Sequence, residues 1–219
     1  MLKGCMWHDE QGVHVSDEKK VEGRLNAEQL RVAIIVDDMV EKRSIDDLTV
    51  AEICDAANLS RTQFYRLFDS KYEVANWFLY KVVEPGKTQI GRTLTWEQGV
   101  EVTMQGCFLL KNLMRSSFLA DGYQSMRETA KRTHKREFFT TIVDYKKREL
   151  TDSIRFQIDF YFHAEDHMNK IWFLNEEREP AHEYAHRLAA CVPGELFELL
   201  NDPVNPCAPK EITLAMLAR

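Results

Sequence analysis

Glycine and proline are scarce in this chain, nine and six among 219 residues. With few β-branched runs to argue for strands, that scarcity leaves long helices as the expected building blocks. Cysteine is also thinly used. Cys5, Cys54, Cys107, Cys191 and Cys207 form no CxxC pair and no metal-finger spacing. This pattern excludes a disulfide scaffold and points to free thiols in a reducing compartment. No apolar run is long enough to span a bilayer, and the first residues lack the apolar core of a signal peptide. The expectation is a soluble, cytoplasmic protein without a membrane partner. A basic excess is missing too. The formal net charge is -6, which excludes a broad phosphate-binding surface and confines any nucleic-acid contact to a local cluster. What is present is 44% hydrophobic and 29% charged residues, an ordinary composition for a packed core.

Residues 1–23 mix charges and glycine without helical periodicity and read as a loose extension. Cys5, His8 and His14 lie there, but they lack a fourth ligand and regular spacing for a metal site. From Leu25 the pattern changes. Leu30, Ala33, Ile34, Val36 and Val40 recur at steps of three and four, which predicts a first helix ending near Lys42 or Arg43. Three capping boxes follow, each a hydroxyl with Glu or Gln three residues later: Thr49 with Glu52, Ser60 with Gln63, and Ser70 with Glu73. Each marks a helix start. Their closeness makes the second and third helices short, about Val50 to Ala57 and Arg61 to Phe68. Only Asn58, Leu59 and Ser60 lie between them. Asn tolerates the left-handed conformation needed to leave a helix, and Leu59 can plug the gap. Two short helices, a three-residue turn and a preceding helix make a helix-turn-helix.

In such a motif the early residues of the second short helix meet base edges. Here they are Arg61, Thr62 and Gln63. Arg suits guanine in bidentate fashion, Gln suits adenine, and Thr suits a base or a phosphate. Tyr65 and Arg66 point away from the face set by Phe64 and Phe68. Lys71 opens the next helix near a phosphate position, and the hydroxyls of Thr49 and Ser60 sit at helix N-termini that favour anions. Acidic residues outnumber basic ones from Arg24 to Lys71, yet the stretch 58–71 holds Arg61, Arg66 and Lys71 against Asp69 alone. That asymmetry suits a narrow binding face; the plain alternative is three solvated charges on a small helical unit.

The run from Leu48 to Tyr72, LTVAEICDAANLSRTQFYRLFDSKY, closely resembles the DNA-binding segment of the TetR family. The resemblance lies in a Thr before the second helix, the turn into Ser60, the Phe64-Tyr65 pair, the aromatic Phe68 and Ser70-Lys71. By that resemblance Thr49, Arg61, Thr62, Gln63, Tyr65 and Lys71 occupy DNA-contacting positions. Two residues depart from the pattern: Leu67 stands where many members carry a phosphate-binding His, and Asn58 replaces the usual turn Gly. Later cues are similar to the branch of dihydroxyacetone kinase regulators. They include Asn76-Trp77, Thr95-Trp96-Glu97, Gln124-Ser125, Phe160-Tyr161, Ile171-Trp172 and the span from Pro180 to Pro193. Members of that branch are described as dimers, some of them activators. The resemblance implies an all-α fold: a helix-turn-helix domain at 24–72, an effector-binding and dimerisation domain at 73–205 and a tail at 206–219. It implies a homodimer on a palindromic double-stranded operator, responsive to a small-molecule effector, with no enzymatic role and no cofactor.

A fourth capping box, Thr95 with Gln98, opens a helix over about 98–118, and residues 123–149 read as one or two helices. The TetR resemblance implies dimerisation through the last two long helices, here about 152–174 and 181–200, the second ending at Pro193-Gly194 or continuing with a kink through Leu200. The first is apolar on two sides, Ile154, Ile158 and Tyr161 on one and Phe156 and Phe160 on another, so it needs two partners. Met104, Phe108, Phe118, Tyr123, Met126, Phe160 and His163 are the candidate effector contacts, with no charged anchor evident. Two histidine pairs have metal-like spacing. His182-Glu183-Tyr184-Ala185-His186 matches HExxH, the pattern of a zinc hydrolase, but Ala189 and Val192 stand where a metzincin would need Gly and a third His. His163 and His167 are likewise four apart. Both pairs read as solvated helix-face histidines. The basic stretch Lys131, Arg132, Lys135, Arg136 reads as a solvated helix face. A protein-binding rather than ligand-binding second domain is a further alternative.

Overall fold

A computed structural model describes residues 15–122 and 124–219, with side chains described from Arg24 onward except at 124–127, 129 and 130. Among the described residues the chain is all α-helical, without a strand. The first helix, α1, runs Val15–Met39, so it begins inside the stretch expected to be loose. Glu and Lys carry good helix propensity without leaving any apolar stripe to read. Residues 1–14, including Cys5, His8 and His14, lie outside the described part.

Helices α2 (Val50–Ala57) and α3 (Arg61–Leu67) begin at the boxes read from sequence. Thr49 accepts from the Glu52 N–H and Ser60 from the Gln63 N–H, while each longer side chain reaches back to its N-cap. Asn58 takes φ 50° and ψ 52°, the left-handed exit its amide tolerates. A further box, Ser44 with Asp47, starts the short turn before α2. The expected Ser70 box does not form. Glu73 instead accepts from the Asn76 amide at 3.1 Å.

Three side chains fasten this unit by satisfying helix-end carbonyls. Arg31 of α1 donates to the Ala57 carbonyl (2.7 Å) and Gln29 to the Leu67 carbonyl (3.0 Å). Lys71 donates to the carbonyls of Asp46 (2.6 Å) and Leu48 (2.7 Å). Each group would otherwise be an orphan acceptor. Ile53, Ala57, Phe64 and Phe68 fill the space against Val32, Ala33 and Val36 of α1.

Helix α4 is Lys71–Val83, and the break at Pro85-Gly86 follows as expected. The predicted helix at 98–118 is two helices, α5 (Trp96–Phe108) and α6 (Lys111–Leu119). Leu110 between them has φ -127° and ψ 64°, outside the helical region. No Pro or Gly causes the break. A residue distant in sequence makes it tolerable: Asp37 of α1 accepts the Leu113 N–H at 2.7 Å and the Asn112 amide at 3.2 Å, capping a helix that has no side-chain cap of its own.

Helix α7 is Gln124–Thr140, followed by a π-type turn at 141–145. Then come α8 (Asp152–Leu174), α9 (Ala181–Ala190), α10 (Gly194–Leu200) and α11 (Leu214–Leu217). The region 181–200 is therefore not one long helix; Pro193 divides it, and α9 packs along α5. Gly99 and Gly106 lie on contact faces of α5, where a Cβ would sit 2.4 Å from Ile90 and 2.7 Å from Ile212. The tail returns over the core, with Cys207 N–H bonded to the Thr93 carbonyl and Ile212 and Leu217 buried. No helix among the described residues is long and apolar enough to cross a membrane.

Replacing Asp37 with Ala strips the first turn of α6 of its acceptor. Equilibrium unfolding in urea is expected to register a loss of about 1–3 kcal/mol, the cost of a buried donor left unsatisfied. A loss no larger than that of an exposed Asp38→Ala control would refute the capping role.

Candidate nucleic-acid interface and candidate effector cavity

The outer side of α3 is uncovered by any described residue. Arg61, Thr62, Gln63, Tyr65 and Arg66 are all exposed, whereas Phe64, Leu67 and Phe68 are buried. Arg61 and Arg66 form no hydrogen bond or ion pair with a described side chain. Leu67, at the position where the resemblance expects His, belongs to the core. Thr49 and Ser60 are exposed at the N-termini of α2 and α3, but their hydroxyls serve the caps: Thr49 donates to Glu52 (2.8 Å) and Ser60 to Gln63 (2.9 Å). Gln63 Oε1 also accepts the Ser60 N–H at 2.8 Å, leaving its Nε2 as the uncommitted end. The Thr49 N–H, the Thr49 hydroxyl and the Arg43 guanidinium all bond the Glu52 carboxylate, holding it down to about 2. Lys71, half-buried and bonded to two carbonyls, has one of its three donors left for a phosphate.

The second candidate is a partly open cavity of about 70 Å³ between α4, α5, α6, α7 and α8. Of the residues expected to bind an effector, Met104 and Phe118 line it. Phe108, Phe160 and His163 do not. Phe108 is exposed, packing edge-on to Trp172 beneath the Arg178 guanidinium. Phe160 and His163 lie on the outward face of α8. Tyr123 falls outside the described residues, as does the side chain of Met126.

The cavity also holds charge that the sequence reading missed. Lys87 and Glu165 pair at 2.7 Å with side-chain exposures of 10% and 4%. Glu165 Oε1 lies 3.5 Å from the Tyr161 hydroxyl, which accepts the Trp96 indole N–H at 3.0 Å. The Lys87 backbone N–H bonds the Thr103 hydroxyl, which donates to the Gly99 carbonyl. Burial pushes the Tyr161 hydroxyl well above its ordinary range and the Cys107 thiol up to about 12, so both stay protonated. Burial, and then the Lys87 charge, hold His134 down to about 3; its ring is neutral and offers one donor and one acceptor. The stretch expected to be a solvated basic face is thus divided. Lys131 and His134 line the cavity, with Lys131 against Glu128 (2.5 Å) and Asp166 (3.6 Å), while Lys135 pairs with Asp159 outside.

One signal in the sequence could have found Glu165: it continues the stripe Ile154, Ile158, Tyr161 at a further step of four, a carboxylate on an apolar face. Lys87 had none, because it sits in a short turn with no periodicity. His134 also borders a groove formed by Gln29, Phe68, Trp77 and Tyr80, so α7 separates the cavity from the base of the helix-turn-helix. His182, Glu183 and His186 are exposed on α9, and no three His, Cys, Asp or Glu side chains gather to a metal-sized cluster among the described residues.

Compared with known proteins, the chain matches no family model, no curated protein and no solved structure.

Two outcomes are expected. Glu165→Ala leaves the Lys87 ammonium unpaired in an apolar wall and lowers unfolding free energy by about 3–5 kcal/mol; Lys87→Met with Glu165→Leu recovers most of it. Urea titrations decide, and a single variant as stable as the wild type would remove the pair from the energetics. His134 sets a pH dependence. The unfolded chain protonates this ring near 6.5 and the folded chain near 3. The stability it contributes is therefore complete above about 6.5 and is lost as pH falls towards 3. His134→Gln should lose less stability than the wild type over that interval, measured by thermal melts at matched pH.

Proposed function

We propose that the chain is a TetR-like, DNA-binding transcriptional regulator. In this reading a homodimer presents two copies of α3 to a palindromic operator, and a small molecule in the cavity adjusts their posture. The observation that carries it is α3 itself. Seven residues, pinned by Gln29 at one end and by the Ser60 cap at the other, turn five polar or basic side chains outward with no described residue above them. A seven-residue helix is too short to persist alone. Its retention on an exposed ridge suits insertion into a major groove.

The same reading explains α8. Ile154, Ile158 and Tyr161 are buried in the subunit, yet Phe156 and Phe160 are 72% and 60% exposed and Ile171 is 48% exposed. Large apolar groups exposed along one side of a helix favour burial against another chain. A partly open cavity with polar groups and an apolar wall supports a small-molecule effector over a protein-binding second domain, and at about 70 Å³ it would have to widen to admit one.

Mobility-shift assays with genomic fragments, the chain's own promoter among them, test the reading. Sequence-selective, salt-sensitive binding is expected. Arg61→Ala should relax preference at one base position at a cost of about 1–3 kcal/mol, while Arg66→Ala should weaken all sequences alike and reduce the salt slope by about one. Phe160→Glu should yield monomers by light scattering and lose operator binding. Absence of selective binding at every fragment would end the proposal.

A further inference from the structure

His163 and His167 are left unused by the function proposed above, and their placement on α8 is specific. Both are exposed. At 100° per residue they fall between Phe156, Phe160 and Ile171, in the middle of the uncovered apolar stripe. His163 Nδ1 lies 2.7 Å from the Asp159 carbonyl. A carbonyl only accepts, so Nδ1 carries the proton and Nε2 presents its lone pair outward. A second nitrogen anchored on a backbone carbonyl is how metal-ligating imidazoles are oriented. His167 lies one turn further along the same face, about 5–6 Å away between Cβ atoms, a spacing that lets two imidazoles hold one ion.

One copy is not enough, because among the described residues no third ligand stands nearby. A second copy supplies the rest. The stripe carries a large apolar residue at each end (Phe156, Ile171), with Phe160, His163, Ala164 and His167 between them. An antiparallel two-fold pairing of α8 sets unlike ends against each other and brings the middle of the stripe to the axis. The middle falls between positions 163 and 164, so His167 is roughly 5 Å from the axis along the helix. Positions 156, 160, 163, 164, 167 and 171 carry no fixed charge. The bordering Asp159 is paired with Lys135 at 2.5 Å, so the second copy covers the stripe without stranding a carboxylate.

We propose that His163 and His167 of two copies form a four-imidazole site for a zinc-like divalent transition ion, which bridges the α8 helices across the two-fold and tightens the dimer. Four nitrogen ligands fit tetrahedral zinc. The inference rests on the dimer reading above. The other pair is less suited, since His186 Nδ1 faces the Glu97 carboxylate at 3.1 Å and lies off the stripe.

The test uses the full chain carrying Cys191→Ser and Cys207→Ser, which removes the two exposed thiols among the described residues. Molar mass is followed by light scattering against concentration, with zinc ion or with chelator, and bound zinc is counted by elemental analysis. The expected result is one zinc per two chains. At free zinc a hundred times its dissociation constant, the dimer dissociation constant should fall about a hundredfold. His163→Gln with His167→Gln should dimerise as the metal-free protein does and lose the response; His182→Gln with His186→Gln should keep it. A dimer indifferent to zinc, or zinc bound one per chain with no change in assembly, overturns the bridge and leaves the dimer standing. A chain monomeric in every condition overturns the dimer reading and the bridge with it.

Discussion

The Asp37 carboxylate is the contact on which the two halves of the molecule depend. Its oxygens take the Leu113 N–H and the Asn112 amide, and α6 starts where it does because those donors have somewhere to go. Burial pushes Asp37 above the ordinary carboxylate range even though the N–H groups pull it down, so the acid is held in a place that charge resists. Two further bonds close the same seam: Ile45 N–H to the Ser116 hydroxyl (2.8 Å) and Asp121 N–H to Asp46 (2.9 Å). Asp46 also accepts from the Tyr72 hydroxyl at 2.7 Å. The unit bearing α3 is thereby fastened to α6, the helix that carries Met114, Ser117 and Phe118 into the cavity.

How much could be read beforehand follows from the range of the forces involved. The starts of α2, α3 and α5 and the left-handed Asn58 were legible because a cap or a turn is settled within four residues. The Ser70 box failed on equally local grounds, with the Asn76 amide competing for Glu73. The division between α5 and α6 was not legible: its cause lies in Asp37, 76 residues before Leu113. Periodicity revealed that α8 has two apolar faces, but it could not say which one the subunit keeps. Phe160 and His163 were therefore expected at the cavity and stand outside it, whereas Glu165, on the inward face, went unnoticed.

Charge is distributed against the grain of the composition. A chain of net charge -6 keeps Arg61 and Arg66 exposed and, among the described residues, unpaired on α3, while Lys87 and Lys131 are drawn inward to neutralise Glu165 and Asp166. The interior pairing makes the cavity close to neutral. An occupant would meet fixed dipoles and pre-formed ion pairs instead of a lone charge, a setting that discriminates by shape and hydrogen-bond direction.

The closed cap at Ser60 carries a consequence for how a duplex would be read by the proposed interface. A glutamine distinguishes adenine by offering an acceptor and a donor together. Gln63 has already given its acceptor to its own helix. With only the amide donor to extend, it meets the N7 atom that both purines display, and adenine and guanine become interchangeable opposite it. Degeneracy at that one letter of an operator would be the imprint of a fold that used the side chain first for itself.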